Sequence, residues 1–418
     1  MKLRPAITLL VLAIAASTAT AQRAARGNEQ WAQWRGPQTN GVSRATDLPQ
    51  TWSAKDGVRW AVDLPGRGTS SAIVWDDRVF VTAADGPRQS DLHLVCLNLA
   101  DGSRRWHSTF WGTSPTLHHA TKSDMATPTP TTDGRRVYAF YGTGDVFAVD
   151  FEGRLLWQRS LADEFGPFEN RFGHTSSPLL AGEVLIVQCD HYGQSYLLAI
   201  DTASGRTRWR TERPGIWHSW SSPRLVDAPD GKGQELIVCA AHRVDAFDPT
   251  TGTALWNVTG LRRECIPTPV AGQGRLYAVS GPKGETLAIR PGGRGDVGHT
   301  HVDWRSARGV PFVPSALLVG DYYYLVDDAG IATCLDADSG QTLWQKRLGG
   351  AFTASPIAGD GKLYFMSEEG ETVVLAAHTG SFQELARNKL DEPIYASSSI
   401  APGKLLIRTE HRLVCVGR

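Results

Sequence analysis

The side chains with the most chemistry to offer lie in irregular stretches of this sequence: 115–125 (PTLHHATKSDM), 163–174 (DEFGPFENRFGH), 213–220 (RPGIWHSW), 261–265 (LRREC), 305–312 (RSARGVPF) and 389–395 (KLDEPIY). They gather His118, His119, Arg171, His174, Trp217, His218, Trp220, Arg262, Arg263, Arg308 and Tyr395. Other short loops add His191, His242, Asp327, Asp328, Glu368, Glu369, Glu410 and His411. Arginine clamps a carboxylate with a planar, two-pronged donor, and tryptophan offers a stacking face. Brought together, such residues suit an anionic, planar or sugar-like ligand. Arg171, His174, Trp217, His218, Trp220 and Arg263 are the candidate ligand-binding group. The structural alternative is a plug, in which His174 bonds nearby backbone and the tryptophans cap a core.

Other chemistries find no footing in the sequence. The cysteines (Cys96, Cys189, Cys239, Cys265, Cys334 and Cys415) are nowhere closer than 26 residues. That spacing excludes a C-x-x-C redox motif, a haem attachment site and a paired-cysteine zinc site. No G-x-S-x-G turn supplies a hydrolase nucleophile. Gly292-Gly293-Arg294-Gly295 precedes no helix and makes no phosphate loop. His299 and His301 share a strand face without a third ligand. No catalytic and no metal-ligating residue is assigned.

A repeat must position the loops. The segments 97–106 LNLADGSRRW, 149–157 VDFEGRLLW, 200–209 IDTASGRTRW, 247–256 FDPTTGTALW and 335–344 LDADSGQTLW share the form apolar-Asp-x-x-(Ser/Thr)-Gly-x-x-x-Trp, with small departures. A degraded copy, 375–384 (LAAHTGSFQE), has Glu384 where the tryptophan is expected, and Trp60 and Trp304 end two diverged copies. The mean spacing is about 47 residues. Within each unit a small-polar lead (69–74 TSSAIV, 175–179 TSSPL, 221–225 SSPRL, 353–357 TASPI, 397–400 SSSI) is followed by short β-rich runs cut by Gly and Asp turns. Four strands per unit at this period predict a β-propeller. Eight second strands predict eight blades, the last completed by residues 58–63 (VRWAVD), which closes the ring and removes the open sheet edges. Cys96, Cys334 and Cys415 fall where other blades carry Ala148, Ala199, Ala246 and Ala288. All six thiols are therefore expected to be free, buried and structural.

Composition agrees with this class. Of 418 residues, 43 are Lys or Arg and 43 Asp or Glu, a net charge of zero that argues against a nucleic-acid-binding protein. No apolar run reaches the roughly 18 residues of a membrane span. Lys2, Arg4, the apolar run 6–16 and Ala19-Thr20-Ala21 spell a Sec-type signal peptide cleaved after Ala21. The expected organisation is a signal peptide over 1–21, an extension over 22–51 and a propeller over 52–418. No cysteine lies near the cleavage site, so the expected product is periplasmic or secreted and not lipidated.

The repeat resembles that of the PQQ-binding-like β-propellers, which include the quinoprotein alcohol dehydrogenases and the BamB-type assembly lipoproteins. The residues 31–43 (WAQWRGPQTNGVS) resemble a leader found before many secreted propellers of this kind. The resemblance implies eight blades and export, but its members include both enzymes and scaffolds. The alcohol-oxidising members combine PQQ, Ca²⁺, an Asp base and adjacent cysteines; this chain has no adjacent cysteines and no Asp-rich calcium loop. The expectation is a non-catalytic binding or scaffold protein without a cofactor. Its partner would be a protein, glycan or small molecule at the propeller's top face. A PQQ-dependent oxidoreductase acting on an alcohol or sugar is the alternative.

Overall fold

The computed structural model describes residues 30–418, so the expected signal peptide lies outside the described residues. The strands form eight antiparallel sheets, the blades of a β-propeller. The first blade runs Ile73–Trp75, Arg78–Asp85, Asp91–Asn98 and Arg104–Trp111 from axis to rim, and the pattern repeats around the ring. The last blade takes Ser399–Ala401, Lys404–Arg408 and Arg412–Gly417 from one end of the propeller and Val58–Asp63 from the other. Val58–Asp63 pairs antiparallel with Arg412–Gly417, as the sequence predicts. The fourth blade departs from four strands: Gly295–Asp296 adds a short parallel fifth strand beside Ala254–Thr259.

The repeated turn staples five of the eight blades to the one before. The tryptophan on an outer strand reaches across to the following blade's turn, and its indole N–H donates to a turn carbonyl. The pairs are Trp60 to Leu99 O at 3.0 Å, Trp106 to Phe151 O at 2.7 Å, Trp157 to Thr202 O at 3.0 Å, Trp209 to Pro249 O at 3.1 Å and Trp304 to Ala337 O at 3.1 Å. The turn glycine lies flat beneath the same ring. A Cβ on Gly102, Gly153, Gly205, Gly252 or Gly340 would stand 2.5–2.8 Å from the indole, and all five have a φ between 71° and 82°. Only glycine satisfies both demands cheaply. The turn's acidic residue folds the backbone, as when Asp201 accepts from the Ser204 amide at 2.8 Å.

Strand register also explains the small third-strand position. Cys96 sits opposite Trp106, Ala148 opposite Trp157, Ala199 opposite Trp209, Cys334 opposite Trp344 and Cys415 opposite Trp60. A large side chain there would collide with the indole. All six cysteines are free and buried, and burial pushes the thiol of Cys96 up to about 12, so that sulfur packs as a small hydrophobe. In the degraded copy Val374 faces Ala386, so the position equivalent to tryptophan is Ala386 and not Glu384. The turn there is two residues longer than the sequence pattern assumes, and with Ala in place of the indole the facing third-strand position carries the larger Val374. The apolar core lies between blades: one cluster joins Phe80, Leu94 and Cys96 of the first blade to Val137, Ala139 and Val149 of the second.

Candidate functional site

Residues at the start of the inner strands build a ring around the axis. The amide of Ser71 donates to the hydroxyl of Thr129, that of Thr129 to Ser177, Ser177 to Ser222, Ser222 to Thr268, Thr268 to Ser315, Ser315 to Ser355 and Ser355 to Ser397, at 2.8–3.3 Å. The Ser71 hydroxyl closes the circle by donating to Ser397 O at 2.7 Å. Each blade contributes one member. Inner-strand ends converging on an axis cannot pair as a sheet, so the hydroxyl girdle satisfies backbone donors that would otherwise be orphaned.

The leader seals one end of this channel. Val74 and Thr132 amides donate to Trp31 O and Ala32 O, and the Ala358 amide donates to Gly41 O at 2.8 Å, all at the ends of inner strands away from the long loops. Arg35 is buried beneath the axis, bonding Asn40 O at 2.9 Å and also Ala316 O. Burial, with Arg224 nearby, lowers its guanidinium to about 9, so it remains a cation at neutral pH. Trp34 lies above it, its indole N–H on Thr268 Oγ1 at 3.0 Å. What remains is a blind cavity of about 410 Å³ reaching from Trp34 to the loop face. Its walls carry six of the eight girdle hydroxyls together with Phe172, Trp220, Phe312 and Tyr395. Lys122 and Glu264 are its formally charged lining residues, and Lys122 is tied to Glu368 at 3.0 Å across the mouth.

The structure disperses the candidate ligand-binding group. Trp220 lines the cavity, with its indole N–H on Gly173 O at 3.0 Å. His174 is fully buried and faces Phe140 and Phe168, with centroids at 4.9 and 5.1 Å. His218 is buried between Tyr192 and Trp220 at 5.0 and 4.8 Å. Trp217 is exposed, with the Arg263 guanidinium 5.9 Å from its ring centroid, and exposed Arg171 lies over Phe172 at 5.6 Å. Trp217, Arg171 and Arg263 stand on the rim, His174 and His218 are buried, and only Trp220 of the six lines the cavity. The lining residues that sequence reasoning did not single out are Trp34, Phe172, Phe312, Lys122, Glu264 and the girdle. The small-polar leads carry the signal for the girdle, at the openings of the inner strands.

His174 makes the environment measurable. Neither ring nitrogen has a hydrogen-bond partner among the described residues. Desolvation, helped by nearby His191, pushes its pKa down to about 3. The unfolded chain, with an ordinary value near 6.5, takes up a proton that the folded chain refuses. Stability from this group is intact above about pH 6.5 and declines as pH falls toward 3, by roughly 2–3 kcal/mol at about pH 4.5. His174→Phe is therefore expected to flatten the acid limb of stability, read by urea unfolding at a series of pH values. An unchanged limb would mean that the ring is protonated in the fold.

The family profile described as "Outer membrane protein assembly factor BamB" matches residues 42–238 and 240–383. The chain is 23% identical over 295 residues to the outer membrane protein assembly factor BamB of Yersinia pestis, covering 66% of this chain and 70% of that one. Among solved structures, BamB from Moraxella catarrhalis aligns with a TM-score of 0.60 at 14% identity, over 86% of this chain and 98% of that one. Quinohemoprotein alcohol dehydrogenase from Comamonas testosteroni aligns at 0.68 and 12% identity, over 96% and 84%. These structural likenesses concern the fold alone, whereas the profile follows the repeats through most of the propeller, and this chain belongs to the family of the outer membrane protein assembly factor BamB.

Proposed function

We propose that this chain is a non-catalytic scaffold of the cell envelope that holds a protein partner against its loop face. One observation carries the reading: large apolar side chains cluster exposed on the rim. Leu117 is 73% exposed, Trp217 52%, and Phe172 and Tyr192 39% each, with Arg171 and Arg263 among them. Exposed aromatics flanked by arginine are the usual anchors of protein interfaces. The name of the Yersinia relative, an outer membrane protein assembly factor, points to partners of the same kind.

The quinone reading fits the residues poorly. PQQ is a planar tricarboxylate, and the lining offers it one cation, Lys122, already paired with Glu368. Glu264 adds a like charge. Among the described residues no three His, Cys, Asp or Glu side chains gather as a metal-holding group. The test combines both readings. A photo-crosslinking residue at Trp217 or Leu117 should capture a defined envelope protein in the native host, and one at Leu343, on an outer strand, should not. The purified protein with PQQ and Ca²⁺ should give no dye-coupled oxidation of alcohols or sugars. Equal capture from both positions, or quinone-dependent turnover, would overturn the proposal.

A further inference from the structure

The cavity poses a separate question from the rim, because its chemistry is of another kind. Ser177, Ser222, Thr268, Ser315, Ser355 and Ser397 all line it. Each of these hydroxyls already accepts an amide N–H from the blade before it. A serine or threonine hydroxyl has one proton of its own to donate. For these six, no acceptor among the described residues takes it. An amide pressing on the oxygen polarises the O–H, so each is a better donor than a free hydroxyl. The girdle is thus a crown of donors around a small lumen.

The rest of the lining narrows the class of ligand. Trp34 forms the floor, and Phe172, Trp220, Phe312 and Tyr395 the walls. Aromatic faces carry partial negative charge and favour the weakly positive C–H face of a saturated, oxygen-bearing ring. Lys122 is neutralised by Glu368, and Glu264 repels anions. A volume of about 410 Å³ is near the small end of ligand pockets, which span roughly 300–1,000 Å³. We infer that this cavity binds a neutral saccharide of one or two rings, its ring faces against the aromatics and its oxygens accepting from the girdle hydroxyls. The inference rests on the cavity alone and does not depend on the partner proposed for the rim.

The test is a titration of the purified full chain with glucose, maltose and cellobiose, read by calorimetry and by tryptophan fluorescence, since Trp34 and Trp220 line the site. At least one of them should bind saturably with a Kd of about 0.1–5 mM, within reach of so few ligand atoms. Glucuronate, the ring-bearing anionic counterpart of glucose, should bind at least about tenfold more weakly than glucose wherever glucose binds, because no free cation meets it. Val313→Trp, which fills the lumen from a loop position lining it, should abolish binding without lowering the melting temperature; if that variant does not fold, Val313→Phe serves. Three results would overturn the inference: no saturation by any of the three sugars at about 100 mM, glucuronate binding tighter than glucose, or sugar binding unchanged in the folded filled variant.

Discussion

Arg213→Leu is expected to cost this propeller about 3–5 kcal/mol, because it strands the buried carboxylate of Asp190 and breaks a bridge to that of Asp245. Arg213 leaves the third blade's outer strand and turns inward, where its side chain is 1% exposed. Its Nε lies 2.9 Å from Asp190 Oδ1 and its Nη1 3.1 Å from Asp245 Oδ2, bridging the third and fourth blades. Asp190 is fully buried and also accepts from Gln188 Nε2 at 2.6 Å, while Asp245 meets the half-exposed Arg243 at 2.9 Å. Burial works against the guanidinium's charge, yet the two carboxylates outweigh it and raise the Arg213 pKa. Removing the cation leaves Asp190 without a counter-charge in a dry seam. Urea unfolding should show the loss, and Arg213→Lys should recover little of it, since one ammonium cannot fork between two carboxylates. Adding Asp190→Asn to Arg213→Leu should restore part of the stability. A loss below about 1 kcal/mol for Arg213→Leu would show that water reaches the seam.

This network was invisible in the sequence, and the reason is physical. Asp190, Arg213 and Asp245 belong to different strands and loops, and nothing in their local spacing marks them as neighbours. The stapling turn was legible because it recurs: an Asp, a Gly and a Trp at fixed offsets carry a contact between consecutive blades, and selection for one geometry writes one pattern many times. The same logic made the third-strand Ala or Cys readable as a tight position, although its cause, the indole directly across the ladder, needed the register. The degraded copy misled by two residues because the pattern was counted from the turn, whereas the register counts from the strand.

The site was less legible. Arg171, His174, Trp217, His218, Trp220 and Arg263 were selected by side-chain type, and type does not say whether a loop residue turns in, out or down into the core. His174 and His218 turn into the core, Trp217 and Arg263 turn out, and Trp220 reaches the lumen. The girdle was overlooked for the opposite reason: serine and threonine are common, and each member gains meaning only from its seven counterparts. The leader shows a third limit. Sequence reading set residues 22–51 apart from the blades, yet Trp31, Arg35 and Leu48 are as buried as strand residues. An irregular segment that crosses an axis has no periodicity to betray where it packs.

Trp60→Ala is the second substitution expected to have a large effect, at about 3–5 kcal/mol. Trp60 sits on the strand Val58–Asp63, which closes the ring by its antiparallel ladder with Arg412–Gly417. Its ring is 7% exposed, packs over Gly102 and donates to Leu99 O at 3.0 Å, so it fastens the last blade to the first. Trp344 provides the internal comparison. It occupies the same register position in the sixth blade, but the following turn is the degraded copy and its indole N–H has no partner among the described residues. Its main aromatic neighbour is Phe382, at 5.3 Å. Trp344→Ala should therefore cost less, about 1–2 kcal/mol, reflecting lost apolar burial without a lost hydrogen bond or seam. Hydrogen exchange adds a local readout: in Trp60→Ala the amides of Val58–Asp63 should lose protection before those of the sixth blade. Equal costs for the two variants would mean that the staple contributes no more at the closure than elsewhere, and that the ladder between Val58–Asp63 and Arg412–Gly417 holds the ring by itself.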